Sequence, residues 1–185
     1  MALIIFILGL LIGSFLNVCI YRIPKGLSVI TPPSTCCDCG NRLMAIDLIP
    51  VISYVLLKGK CRYCNSRISL KYPAIELITG CGFFISYHFI GLNLYLLKFL
   101  VLASILITVA FIDLEYLIIP DSIIVFTGIS GIILNVLVKD ISIQSSVLGF
   151  VVGGGFLLII AIISKGAMGG GDIKLMAALG IYAGF

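Results

Sequence analysis

Long apolar runs, separated by short polar stretches, dominate the pattern of this chain. Six of them stand out, over approximately residues 2–20, 74–92, 94–112, 122–138, 145–164 and 174–185. The first five fall within the roughly 17–25 residues that an α-helix needs to cross about 30 Å of hydrocarbon. The sixth is too short to span, so the pattern predicts either that further residues complete this helix or that the chain is a truncated product. One long polar stretch, 21–73, interrupts the series after the first helix. The pattern therefore divides the chain into a first membrane helix over 1–20, a polar insert over 21–73 and a membrane domain over 74–185 that is expected to continue past the C-terminus.

Composition agrees with this reading. With 61% hydrophobic and 11% charged residues and a mean hydropathy of +1.27, the chain lies outside the range of soluble globular domains. The fold class is an all-α polytopic membrane protein, a transmembrane helix bundle with a small insert. The first run lacks a basic n-region and a small-residue cleavage site, and it contains Asn17, so it reads as a retained anchor and not as a signal peptide. Hydropathy settles location and leaves function open.

Orientation follows from the basic residues, because short cytosolic loops carry the excess of lysine and arginine. Arg22, Lys25, Arg42, Lys58, Lys60, Arg62, Arg67 and Lys71 fall in the insert, Lys165 and Lys174 flank the start of the sixth run, and Lys98 and Lys139 are left for the other side. This puts the N-terminus outside and the insert in the cytosol. Counting crossings then returns the ends of the third and fifth runs to the cytosolic side.

The insert holds Cys36-x-x-Cys39 and Cys61-x-x-Cys64 with 21 residues between the pairs. Two such knuckles bring four thiolates into a tetrahedron, the donor set of a closed structural zinc site. A redox dithiol and plain buried thiols are the alternatives, and disulfides suit a reducing cytosol less well. So short an insert builds little core of its own, which gives a metal staple a physical purpose. Cys37 lies inside the first knuckle and competes as a ligand with poorer spacing, whereas Cys19 and Cys81 fall in apolar runs and read as packing residues.

Asp113, in FIDLEYLIIPD, and Asp172, in GGGDIK, stand at the edges of long apolar segments. Acids at membrane depth are costly and are functional candidates by default. Both fall on the side assigned to the insert, and a pair of them suggests an aspartyl protease built in a membrane. Two carboxylates sharing a site raise one of their pKa values, so one serves as general base while its protonated partner polarises a carbonyl. Glycines 169–171 allow close approach of an extended substrate, or they simply cap or link helices.

GSFLNVCIYRIP (13–24), the two knuckles with the segment between them, ISLKYPAIELITG (68–80), FIDLEYLIIPD (111–121) and GGGDIK (169–174) occur in order along most of the chain. Together they resemble the type IV prepilin peptidases. The resemblance implies a bacterial inner-membrane enzyme that cuts the basic leader from prepilins or pseudopilins after a glycine at the cytosolic face, with Asp113 and Asp172 as its catalytic pair. It also implies that the cysteine-bearing domain goes with a second activity, methylation of the new N-terminus by S-adenosyl-L-methionine. Members of the family usually continue with further membrane helices beyond the GGGD segment.

The remaining polar residues are read more plainly. Asp121 follows Pro120 and is expected to cap the next helix, and Glu115 is a solvated or interfacial charge. Glu76 pairs with a basic residue, holds the leader or belongs to the methyl-transfer site. Asn17 and Arg22 match the resemblance by sequence alone and otherwise anchor the first helix. His88, the sole histidine, lies far from the acids. Glycines 153–155 predict close helix packing. No GxGxxG or Walker pattern locates a methyl-donor pocket. The net charge of +4, concentrated near the cytosolic interface, suits acidic lipid and gives no reason to expect nucleic acid. Two other functions fit parts of the pattern: an intramembrane aspartyl protease with a different substrate, and an inactive zinc-dependent membrane scaffold.

Overall fold

The computed structural model describes residues 1–164 and 169–185. Its helices are α1 (Ala2–Arg22), α2 (Ile52–Leu56), α3 (Lys71–Ile90), α4 (Leu94–Tyr116), α5 (Asp121–Val138), α6 (Ile143–Ile163) and α7 (Gly170–Ala183). The described residues form no strand, only two isolated bridges inside the insert. The chain is therefore all-α. Helices α1, α3, α4, α5 and α6 are long and apolar enough to cross a membrane, which makes it a multi-pass membrane protein. Helix α7 has 14 residues, fewer than a span requires.

Helix ends differ from the apolar runs where local chemistry outweighs hydropathy. Helix α4 continues past residue 112 because no breaker precedes Pro120, and Leu117 closes it in the left-handed region at φ 54°. Asp113 and Glu115 therefore lie in its last turn. Helix α7 begins within the glycine run, ahead of residue 174, and places Asp172 in its first turn. Side chains cap α4 and α6, where Asn93 accepts from the Leu96 N–H at 2.8 Å and Ser142 from the Ser145 N–H at 3.1 Å. Lys165, which the charge rule counted on the same side as the insert, lies outside the described residues.

The chain forms two compact units, one of Met1–Leu92 with Leu106–Thr108 and one of Asn93–Ile105 with Val109–Phe185. In the first, α1 packs along α3 through glycines. A Cβ on Gly13 would stand 2.7 Å from the Glu76 Cα, and one on Gly9 2.8 Å from the Gly80 Cα, so only hydrogen fits at this small-residue crossing. Buried Asn17 spans the seam, its amide donating to Gly13 O at 3.2 Å and to Tyr72 O at 3.1 Å.

In the second unit α7 packs on both α5 and α6. Gly149 and Gly180 bring the α6 and α7 backbones together, and a Cβ on Gly154 would approach the Ala177 Cβ at 2.8 Å. Of glycines 153–155, the first two pack in this seam and Gly155 faces open space. Asn135 ties the three helices, donating to Ser146 Oγ at 2.9 Å and to Ile181 O at 2.6 Å. Lys98, 4% exposed, is held by Asp140 at 2.6 Å. A lysine that the charge count set free on the far side is thus a buried ion pair.

Candidate functional site

The two knuckles of the insert are copies of one turn. In the first, the Cys36 N–H donates to Asn41 O and the Gly40 N–H to Cys36 O, both at 2.9 Å. In the second, the Cys61 N–H donates to Ser66 O at 2.8 Å and the Asn65 N–H to Cys61 O at 3.0 Å. The residue after each second cysteine is left-handed, Gly40 at φ 70° and Asn65 at φ 58°, and these are the two residue types that adopt this region most readily. A bridge flanks each turn, Thr35 with Arg42 and Lys60 with Arg67.

The turns bring the sulfurs of Cys36, Cys39, Cys61 and Cys64 within 4.8 Å of one another. A tetrahedron with zinc–sulfur bonds of about 2.3 Å has edges of roughly 3.8 Å, and Cys36 and Cys64 stand 3.9 Å apart. This donor set could hold a metal ion. Backbone N–H groups of Cys39 and then Asp38 pull the Cys36 thiol down to about 6, and the Ser66 hydroxyl and backbone lower that of Cys64. Cys36 and Cys64 are thus eased toward the thiolate form that metals bind, whereas Cys39 is pushed up to about 11, the backbone hydrogen bond at Asn41 being outweighed by desolvation and by the neighbouring Cys64 and Cys36 thiols. Cys37 is exposed outside this cluster, Cys19 is buried in α1, and Cys81 is exposed on α3. Arg62, in the second knuckle, pairs with Asp47 at 2.8 Å.

Beside the knuckles lies a cavity of about 580 Å³, entirely within the first unit, whose walls come from the insert, α1 and α3. Glu76 lines it and is 8% exposed. Its Oε2 accepts from the Val51 N–H at 2.7 Å and the Ser14 hydroxyl also bonds the carboxylate, so its partners are an amide and a hydroxyl and, among the described residues, not a basic side chain. Val51 has φ 60° and ψ −48°, and the Ile52 N–H reaches Pro50 O at 2.5 Å across it. This is the three-residue γ-turn that is rare and strained, here at a β-branched residue. Asn17 also lines the cavity. Arg22 donates to Ser28 O at 2.9 Å and Pro33 O at 3.5 Å, and so folds the start of the insert back on α1.

In the second unit, Asp113 stands one turn before the α4 cap, and the Leu117 N–H donates to its carbonyl at 2.9 Å. Asp172 stands in the first turn of α7. The start of α7 lies against the loop that follows α4 and the start of α5: a Cβ on Gly171 would meet the Ile119 Cβ at 3.1 Å, and the Lys174 Nζ bonds Asp121 Oδ1 at 2.8 Å. Both aspartates are exposed at this one end, and neither carboxylate has a hydrogen-bond partner among the described residues. A Cβ on Gly169 would lie 3.0 Å from Asp172 Oδ2, whereas Gly170 faces open space. The glycine run therefore leaves room beside one carboxylate and against the α4–α5 loop.

Asp121 corrects the capping expectation. It is the first residue of α5, Pro120 holds the cap position without a side-chain bond, and the Asp121 carboxylate turns to Lys174. Glu115 is exposed. His88 stacks edge-on against Phe89 at 5.7 Å, near the C-terminal end of α3. The cavity that brings Asn17 and Glu76 together was missed by motif reading. Its one signal was the pair Asn17 and Glu76 at membrane depth.

Residues 7–90 match the bacterial peptidase A24 N-terminal domain, and residues 100–185 match the type IV leader peptidase family. A prepilin leader peptidase/N-methyltransferase of Bacillus subtilis (strain 168) is 40% identical over 181 residues, covering 98% of this chain and 73% of the relative. The chain belongs to the type IV leader peptidase family. Proteins of the same description from Neisseria gonorrhoeae and Myxococcus xanthus (strain DK1622) are 36% and 37% identical, over 96% and 98% of this chain and 72% and 56% of their own lengths. No solved structure matches it. The boundary between the two family regions, 90 to 100, falls where α3 gives way to α4.

Proposed function

We propose that this protein is a prepilin leader peptidase and N-methyltransferase, with Asp113 and Asp172 as its proteolytic pair. The observation that carries the assignment is that the start of α7, with exposed Asp172 in its glycine run, packs against the α4–α5 loop that follows exposed Asp113, in a chain of this family. One aspartate takes a proton from water as the oxygen adds to the scissile carbonyl, and its protonated partner donates a hydrogen bond to that carbonyl oxygen. The proton gained by the base then passes to the departing amine as the C–N bond breaks.

The substrates are prepilins or pseudopilins, whose basic leader and apolar helix put the scissile bond at a membrane interface. The excess of basic residues in the insert supports a cytosolic position for the knuckles and both aspartates, with the N-terminus outside, in the bacterial inner membrane. Cys36, Cys39, Cys61 and Cys64 hold a structural zinc ion, since four thiolates with no open position suit a closed site. When bound, S-adenosyl-L-methionine would supply an electrophilic methyl group for the amine that cleavage frees.

Cleavage of a purified prepilin in lipid tests the peptidase. Wild type is expected to release the leader, and Asp113→Asn or Asp172→Asn to slow release by about 10²–10⁴-fold. Undiminished cleavage by either folded variant would remove that residue from the pair.

A further inference from the structure

Motif reading left the methyl-donor site unplaced, and the residues around the cavity of the first unit supply what such a ligand needs. The space, about 580 Å³, falls within the range of small-molecule sites. Asn17 is 6% exposed and spends both amide hydrogens on backbone carbonyls, while its Oδ1 is buried with no partner among the described residues. A buried acceptor without a donor is costly unless something supplies one. Glu76 lines the same cavity, and the strained turn at Val51 aims an N–H at one of its oxygens. Strain of this kind persists where surrounding structure enforces it and gathers at functional sites.

The rest of the wall is complementary to the same ligand class. Tyr21, Tyr54 and Tyr72 line it, and Tyr21 already carries the Lys25 ammonium 3.5 Å from its ring centre, so these rings suit a cation or a flat base. Arg67, exposed at the cavity wall, has no ion-pair partner among the described residues and offers a guanidinium to a carboxylate. Acceptors at the floor, aromatic faces and one free cation together match a zwitterion that carries a sulfonium, an ammonium, a carboxylate and a purine.

We propose that this cavity, floored by Asn17 and Glu76 between the cysteine knuckles and the α1–α3 seam, binds the methyl donor S-adenosyl-L-methionine. The inference rests on the bifunctional reading above. The Glu76 carboxylate accepts from the ammonium and faces the positive sulfonium, with Asn17 beside it at the floor. Because Cys36 and Cys61 belong to the wall, the metal cluster shapes the site without touching the reaction.

The test is equilibrium binding of radiolabelled S-adenosyl-L-methionine to the full chain in lipid nanodiscs, with size-exclusion profile and zinc content as checks on folding. Glu76→Gln keeps the shape and an acceptor for Val51 but removes the charge, and is expected to weaken binding by on the order of ten- to a hundredfold. Ser53→Phe, which fills the cavity from α2, is expected to abolish binding and covers the case in which Glu76→Gln misfolds. Wild-type affinity in both folded variants would overturn the placement while leaving the bifunctional reading intact. Absence of binding by folded, zinc-loaded wild type would overturn both.

Discussion

Helix α1 meets α3, and α6 meets α7, through glycines that admit no Cβ, and a buried asparagine binds across each: Asn17 of α1 to the Tyr72 carbonyl of α3, and Asn135 of α5 to the Ser146 hydroxyl of α6 and the Ile181 carbonyl of α7. Asn17 and Asn135 even share an unpartnered Oδ1. The seams differ in what stands beside them. Asn17 opens onto a cavity that also holds Glu76 and the cysteine wall, whereas the space of about 820 Å³ beside the α6–α7 seam is walled mainly by apolar residues, with the exposed Asp121–Lys174 pair at its edge. The second unit keeps its acids away from the seam, exposed where the start of α7 packs against the α4–α5 loop. A close helix seam can thus border a mainly apolar space or a polar one, and the buried acid Glu76 marks the second kind here.

The largest effect should come from breaking such a seam. A Cβ on Gly149 would run into the Gly180 carbonyl backbone, so Gly149→Leu is expected to destabilise the second unit by more than the ~1–3 kcal/mol typical of overpacking. Gly155→Leu on the same helix, facing open space, should cost little. Thermal unfolding in detergent would show whether the seam is as tight as the backbone indicates.

Removing the metal sharpens the contrast between units. Chelation is expected to expose the insert, near residues 36–64, to proteolysis and to lower donor affinity, because the cysteines form part of the cavity wall. The helices of the second unit should retain their protection. Protease mapping by mass spectrometry before and after chelation reads both parts at once.

Smaller effects separate two ion pairs of the second unit, Lys98–Asp140 and Lys174–Asp121. Lys98→Met removes the buried ammonium from Asp140, which is itself open to solvent, and should cost about 1 kcal/mol. Lys174→Met breaks an exposed pair with Asp121 and should cost under about 0.5 kcal/mol. Equal losses would mean that depth does not govern these pairs.

What could be read in the sequence follows the range of the interactions. Each knuckle closes within about one turn, so CxxC spacing was enough to nominate four cysteines whose sulfurs the fold gathers within 4.8 Å. The five apolar spans were equally legible, because every residue in them reports the same solvent. Asp121 was misread because a cap and an ion pair demand the same residue type, and the deciding partner, Lys174, lies 53 residues away. The cavity stayed hidden because its floor joins Asn17 to Tyr72 and Val51 to Glu76, contacts across 55 and 25 residues. The meeting of the start of α7 with the α4–α5 loop depends on Ile119 against Gly171, and no local pattern encodes it.

The central claim is that cleavage belongs to the aspartate end of the second unit and methyl transfer to the cavity of the first. Mass spectrometry of pilin incubated with Asp172→Asn and methyl donor, supplied once as precursor and once as pre-cleaved mature pilin, tests it directly. The account predicts intact precursor in the first reaction and a singly methylated N-terminus in the second. Cleaved precursor, or unmethylated mature pilin from a variant that still binds the donor, would contradict it.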